Sequence, residues 1–318
     1  MTQISSDIEI AKKLLLEDEL VAIPTETVYG LAANAFSESA VKKIFALKNR
    51  PSFNPLIVHI AAVSDLEKLA TNIPLLAYEL ADAFWPGPLT LLLEKKSIVP
   101  ECVTAGNTTV AVRIPNHPLT LALLKQLPFP LAAPSANPFM SISPTKPEHV
   151  KNYFAGKLKF ILDGGYCQDG IESTIIGFSG NKAVLYREGS CEISEIEKIT
   201  GKLLAVSSNT DLPEAPGMMK KHYAPNTPLI VTIDCQLEID KHLDKKIGVL
   251  TFIQVEKYAA VFIQKHLSKN NSLKEAATNL YATLIDLDGM HLDLIIAEYM
   301  PNQSLGNTIN DRLERASS

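Results

Sequence analysis

Lys48-Asn-Arg50-Pro51-Ser-Phe-Asn54-Pro55-Leu56-Ile-Val-His59-Ile60 joins a helix end, a turn and a strand within a few residues. Just before it, Ser37 to Leu47 puts Val41, Ile44, Phe45 and Leu47 near helical spacing, which predicts an α-helix. Pro51 disfavours helical geometry at Arg50. Leu56 to Ile60 then has the apolar, β-branched texture of a buried strand. Working outward, the opening stretch reads as an amphipathic helix ending near Glu17–Glu19, and Leu20-Val-Ala-Ile23 as a strand that stops at Pro24. Further strands are predicted at Thr90–Glu94, Thr108–Arg113, Leu131–Ala133, Phe160–Leu162, Ser173–Ile176 and Ala183–Arg187, with helices between several of them. This alternation makes the first two-thirds an α/β unit with mixed strand directions.

Around Ser207 the texture changes. Ser207-Ser-Asn-Thr-Asp-Leu-Pro-Glu-Ala-Pro-Gly217 is rich in turn formers and poor in apolar residues, as a linker would be. Beyond it, strands at Leu229–Ile233, Ile247–Thr251 and Leu294–Ala297 alternate with helical stretches, the strongest being Leu273–Leu287. That pattern predicts a smaller, doubly wound parallel-sheet domain. The expected division is therefore 1–206, a linker at 207–228, and 229–318.

The 318 residues suit two domains, and 46% hydrophobic content is enough for real cores. A formal net charge of −5 disfavours a nucleic-acid backbone as the main ligand, though a local basic groove stays open. Cys102, Cys167, Cys191 and Cys235 are scattered, with no histidine at ligand spacing, so neither a metal site nor a disulfide framework is indicated. The charged N-terminus does not read as a signal peptide, and no apolar run approaches a membrane span. A cytoplasmic protein is the expectation.

Four clusters carry chemistry. Lys48, Arg50, Asn54 and His59 offer a point charge, a planar fork, an amide and an imidazole, the first two suited to phosphate. The plain alternative is that both cations simply close a helix and favour its negative end. Ala133-Pro-Ser135-Ala-Asn137-Pro, followed by Ser143-Pro-Thr145, forms tight polar turns able to aim hydroxyls and N–H groups at an anion, or else an ordinary Asx or Ser turn. Arg113 interrupts an apolar run just before a proline and is either exposed or reaches into a cleft. Glu172-Ser173-Thr174 and Arg187-Glu-Gly189 end neighbouring strands, where the hydroxyls can equally cap a turn. No phosphate loop, dinucleotide fingerprint or nucleophile elbow is present, so a nucleotide would be held by scattered side chains and turns.

Pro24-Thr-Glu-Thr-Val-Tyr-Gly-Leu31, Lys48-Asn-Arg50-Pro, Trp85-Pro-Gly-Pro-Leu-Thr90, Val110-Ala-Val-Arg113, Ala133-Pro-Ser-Ala-Asn137, Ser143-Pro-Thr145 and Glu172-Ser-Thr174 follow one another in an order that resembles the YrdC-like threonylcarbamoyl-AMP synthases. Ala215-Pro-Gly-Met218 and His222-Tyr-Ala-Pro225 are similar to the linker of the two-domain form, and Ala282–Arg312 to the end of its C-terminal domain. The resemblance implies an open, twisted mixed sheet around a concave, positively charged cleft. It implies that Thr27, His59, Arg113, Ala133 and Ser173 surround L-threonine, Ala133 through its backbone. Arg50, Asn54, Thr109, Ser135, Ser143, Arg187 and Tyr223 would hold ATP, with Lys48 and Asn137 in the same phosphate-facing signature. Lys48 and Arg50 would act catalytically, and the linker would close as a lid. ATP and bicarbonate enter as substrates, with Mg²⁺ riding on the triphosphate, and the product would pass to a tRNA threonylcarbamoyltransferase complex. Direct tRNA contact is not indicated by charge. Phe139-Met140, Gly177, Met219 and Lys220 depart from the family pattern. The competing readings are a non-catalytic nucleotide- or RNA-binding module and a carbamoyltransferase-type enzyme. The latter normally carries further domains and zinc-like cysteine motifs that this sequence lacks.

Overall fold

A computed structural model describes residues 1–180, 182–205, 215–217 and 222–317. The helix Glu38–Lys48 shows how the sequence sets local structure. Ser37 caps its start by accepting the Ala40 N–H at 3.3 Å, and Asn49 ends it in the left-handed region at φ 52°. Its inward face is Ala40, Val41, Ile44 and Lys48, so the same face that packs the core delivers a buried lysine.

The chain divides into two compact units. The first comprises Met1–Phe139, Pro144–Gln168 and Glu172–Met218. It holds β1 (Gln3–Ser5), β2 (Val21–Ile23), β3 (Gly30–Asn34), β4 (Ile57–His59), β5 (Leu89–Glu94) and β6 (Thr109–Arg113). It continues with β7 (Leu131–Ala132), β8 (Phe160–Leu162), β9 (Thr174–Ser179), β10 (Lys182–Arg187) and β11 (Leu204–Ala205). These pair in one mixed sheet, in the order β1-β8-β2-β3-β7-β4-β6-β5-β9-β10-β11. β4 lies near the middle, parallel to β6 and antiparallel to β7, with all three of its residues buried. Separate apolar clusters, one around Tyr29, Ile44, Val58 and Trp85 and another around Leu15, Ile23, Leu123 and Leu131, cover the sheet.

The register decides which side chains share an end of the sheet. His59 lies opposite Arg113 across the β4–β6 ladder. β5 runs antiparallel to β6, bringing its first residues to the Arg113 end. β9 runs parallel to β5, with Thr174 opposite Leu89, and so adds Ser173 to the same end.

The second unit comprises Met140–Ser143, Asp169–Ile171 and Met219–Ser318. Its sheet is wholly parallel, in the order β12 (Leu229–Thr232), β15 (Leu294–Glu298), β13 (Ile247–Ile253), β14 (Ile263–Ser268). Helices Cys235–Asp240, Leu273–Asp288 and Leu305–Ser317 follow β12, β14 and β15. Asp234 and Ser272 cap the first two. In this unit the Tyr223 ring stacks on Tyr281 at 5.6 Å and lies 5.1 Å from the buried Arg312 guanidinium. The Ala224 N–H donates to the Met140 carbonyl at 2.8 Å. Met140 takes φ 69°, a conformation that ordinarily favours glycine.

Of the linker expected at 207–228, residues 207–214 and 218–221 lie outside the described residues, Met219 and Lys220 among them. Four strands escape the sequence reading: β1, which precedes the first helix, β3, β11 and β14.

Candidate active site

Arg113 ends β6 with 3% of its surface exposed, so its charge must be met by protein. Its Nε donates to the Gly87 carbonyl at 3.1 Å, and its Nη1 to the Thr27 hydroxyl at 3.0 Å. Its Nη2 forms an ion pair with Glu26 Oε1 at 2.5 Å. The Glu26 carboxylate is itself buried and accepts the Asn116 N–H on its other oxygen at 2.9 Å. Thr27 is held in turn by the Thr25 hydroxyl, 2.8 Å away, which also donates to the Val28 carbonyl. Gly87 follows the cis Trp85–Pro86 peptide, and a Cβ there would fall 2.2 Å from the Phe84 carbonyl oxygen. A glycine is therefore required where the chain turns to present its carbonyl to Arg113.

His59 stands beside Arg113 in the ladder and is fully buried. Burial, and secondarily the Arg113 charge, push its pKa down to about 3, so the ring is neutral at pH 7. Its Nδ1 has no hydrogen-bond partner among the described residues. Ala133 comes next to this group through its backbone, its N–H donating to the Ile57 carbonyl at 3.0 Å.

Ser173 precedes β9 and lies 2.8 Å from the Thr90 hydroxyl. Arg187, ending β10, donates to the Ser173 carbonyl at 2.8 Å and to its hydroxyl at 3.1 Å. A further nitrogen of Arg187 donates to the Pro216 carbonyl at 3.1 Å. Gly189 lets the chain pass this close: a Cβ there would sit 2.3 Å from the Ser173 carbonyl carbon and the Thr174 nitrogen.

The turn after β7 is tied down from two sides. The Ala136 N–H donates to the Tyr29 carbonyl at 2.8 Å, and Lys48 Nζ donates to the carbonyls of Ser135, at 2.5 Å, and of Asn137. Complete burial, and then the neighbouring Arg50, hold the Lys48 pKa well below the usual lysine range. Lys48 thus fixes the Ser135–Asn137 turn through its carbonyls. Arg50 closes the following turn, donating to the Asn54 carbonyl at 3.2 Å and the Pro55 carbonyl at 2.9 Å.

Of the residues singled out in the sequence, Thr27, His59, Arg113 and Ala133 form one group, and Ser173 with Arg187 forms a second at the same end of the sheet. Lys48, Ser135 and Asn137 form a third, with Arg50 and Asn54 on the turn alongside. Thr109 begins β6, four residues from Arg113 and hence about 13 Å along the strand, away from the arginine end. Ser143 and Tyr223 belong to the second unit. Glu26, Thr90 and Gly87 were missed. Glu26 had a signal, being the sole charge between Glu19 and Glu38 in an apolar stretch. Among the described residues no group of His, Cys, Asp and Glu side chains could hold a metal, and no helix is long and apolar enough to cross a membrane.

A mixed sheet with a buried arginine and a neutral histidine on adjacent strands, followed by a parallel-sheet unit, has the form of a two-domain α/β enzyme. Residues 13–189 match the Sua5/YciO/YrdC family model, described as "Telomere recombination". Residues 191–318 match the model described as "Threonylcarbamoyl-AMP synthase, C-terminal domain". A threonylcarbamoyl-AMP synthase of Pyrococcus abyssi is 40% identical, the match covering 98% of this chain and 94% of that one. One from Bacillus subtilis is 42% identical over 96% of this chain and 91% of its own length. The crystal structure of P. abyssi Sua5 complexed with L-threonine superposes with a TM-score of 0.92 at 40% identity, covering 99% of this chain and 98% of that one. The chain belongs to the threonylcarbamoyl-AMP synthase family, in its two-domain form.

Proposed function

We propose that this chain condenses L-threonine, bicarbonate and ATP into threonylcarbamoyl-AMP and pyrophosphate, supplying the activated group for a tRNA modification. The observation that carries this reading is the Arg113 guanidinium, buried beside a neutral histidine and fixed by Gly87, Thr27 and Glu26. Arg113 grips the amino-acid carboxylate, and Thr27, His59, the Ala133 backbone and Ser173 line the same pocket. The threonine amine joins bicarbonate with loss of water, giving an N-carboxylate. An oxygen of that carbamate attacks the α-phosphorus of ATP, and pyrophosphate leaves. The step needs placement and charge stabilisation more than proton transfer.

The turn carrying Ser135 and Asn137, held by Lys48, presents hydroxyl, amide and backbone N–H groups to the nucleotide, with Arg50 and Arg187 supplying positive charge. ATP enters as its Mg²⁺ complex, the ion travelling with the triphosphate. Asn54, Thr109, Ser143 and Tyr223 are carried as nucleotide contacts by the family resemblance alone. The product is labile and would be consumed by an enzyme that transfers the threonylcarbamoyl group to tRNA, in the cytoplasm. The purified protein, given ATP, Mg²⁺ and bicarbonate, is expected to release pyrophosphate only when L-threonine is added, with a threonylcarbamoyl-adenylate mass in the quenched mixture. Release that does not depend on threonine, or no release, overturns the reading.

A further inference from the structure

Two opposite charges, Arg113 and Glu26, are 3% and 4% exposed and pair at 2.5 Å. Burying such a pair costs both partners their hydration, and apolar residues of like volume would often serve stability as well. Holding Arg113 in place does not require a charge either, since the Gly87 carbonyl and the Thr27 hydroxyl already fix two of its nitrogens. Glu26 is itself fixed on its far oxygen by the Asn116 N–H, so its carboxylate keeps one place whether or not Arg113 moves.

Counting donors and charges shows what the pair leaves on offer. Of the five guanidinium N–H groups, Gly87 and Thr27 each take one, while Nη2 meets Glu26 as an ion pair without a hydrogen bond, which leaves donors on both terminal nitrogens for an incoming carboxylate. The Arg113 charge is balanced by Glu26, and His59 stays neutral at pH 7. The group formed by Arg113, Glu26 and His59 is therefore neutral overall but strongly dipolar. A lone buried arginine would favour any small anion, including a hydroxy acid or bicarbonate itself. A fixed arginine–carboxylate pair instead complements a ligand carrying one charge of each sign, with an ammonium one carbon away from its carboxylate.

We propose that Glu26 is a specificity-determining residue, making the Arg113 pocket select an α-amino acid in its zwitterionic form over the matching hydroxy acid. The inference rests on reading this pocket as the threonine site. Its test compares L-threonine with (2S,3R)-2,3-dihydroxybutanoate, the same carbon skeleton with a hydroxyl in place of the amine. Binding of each is measured by calorimetric titration of the full chain as wild type, Glu26→Gln and Glu26→Asp. Wild type is expected to prefer threonine. Glu26→Gln is expected to weaken threonine at least tenfold while changing the hydroxy acid less than about threefold or tightening it, and Glu26→Asp should give an intermediate ratio. Equal losses for both ligands in Glu26→Gln would mean that Glu26 merely positions Arg113, and would overturn the proposal while leaving the threonine site intact. Wild type that binds neither ligand would overturn the threonine reading, and the proposal with it. Should Glu26→Gln fail to fold, an unchanged threonine-to-acid ratio in Glu26→Asp is the overturning result.

Discussion

His59 and His149 are buried imidazoles whose pKa values fall to about 3 and about 4, in each case chiefly through burial. His59 also feels Arg113, and His149 feels Lys146. In the unfolded chain both protonate near 6.5, so between that pH and the folded values the unfolded state binds more protons. Stability is therefore full above 6.5 and is lost as pH falls, by about 1.4 kcal/mol for each pH unit over which one histidine stays neutral in the fold alone. Replacing both with asparagine should flatten the drop in urea midpoint between roughly pH 7 and pH 5. A double variant that loses as much stability as wild type over that interval would refute this account. His59 was legible in the sequence because an imidazole ending an apolar strand is conspicuous. Glu26 was overlooked although it is the sole charge between Glu19 and Glu38, because a glutamate between two threonines looks like a solvated turn. Only the register that sets Arg113 beside the Pro24–Tyr29 loop reveals its burial.

Strands with continuous apolar runs, such as β4, β5 and β6, could be read from the chain because burial on both faces leaves an unbroken pattern. β3 could not, since Gly-Leu-Ala-Ala-Asn has little strand preference of its own. Its conformation comes from pairing with β2 and β7 on either side. β14 is an edge strand with Gln264, Lys265 and His266 in its middle, and its pattern is too polar to stand out. The crossing of β9 and the segment after β10 depends instead on one small residue. Beyond Arg187 the chain lies against Glu172–Thr174, with the Ser190 N–H on the Glu172 carbonyl and Cys191 bonded to the Thr174 hydroxyl. A methyl group at Gly189 would meet backbone atoms, which cannot swing aside as a side chain can. Gly189→Ala should therefore destabilise the protein by about 2 kcal/mol or more. By moving Ser173 relative to Arg187, it should also raise the KM for threonine and for ATP. An alanine variant with wild-type melting and wild-type KM values would show that the segment has room the distances deny.

At the scale of the whole chain, each unit is built on its own sheet, and Trp85, the single tryptophan, lies in the core of the first. Its fluorescence therefore reports unfolding of the unit that contains Arg113, His59 and Ser173. A ligand that binds only the folded form adds about 2.7 kcal/mol at one hundred times its Kd. For a unit of this size that corresponds to a rise of roughly 5–10 °C in the midpoint. L-threonine alone should produce such a rise. Because the zwitterion has no net charge and the buried Arg113–Glu26 pair it meets has none, the shift should change little between low and moderate salt. A chain with net charge −5 that served as an RNA-binding module would behave differently. RNA would then stabilise it in a steeply salt-dependent way through counterion release, and threonine would do nothing. The two readings thus separate in one set of melts: a threonine shift that survives added salt supports the synthase, whereas a shift with RNA alone that fades as salt rises would replace it.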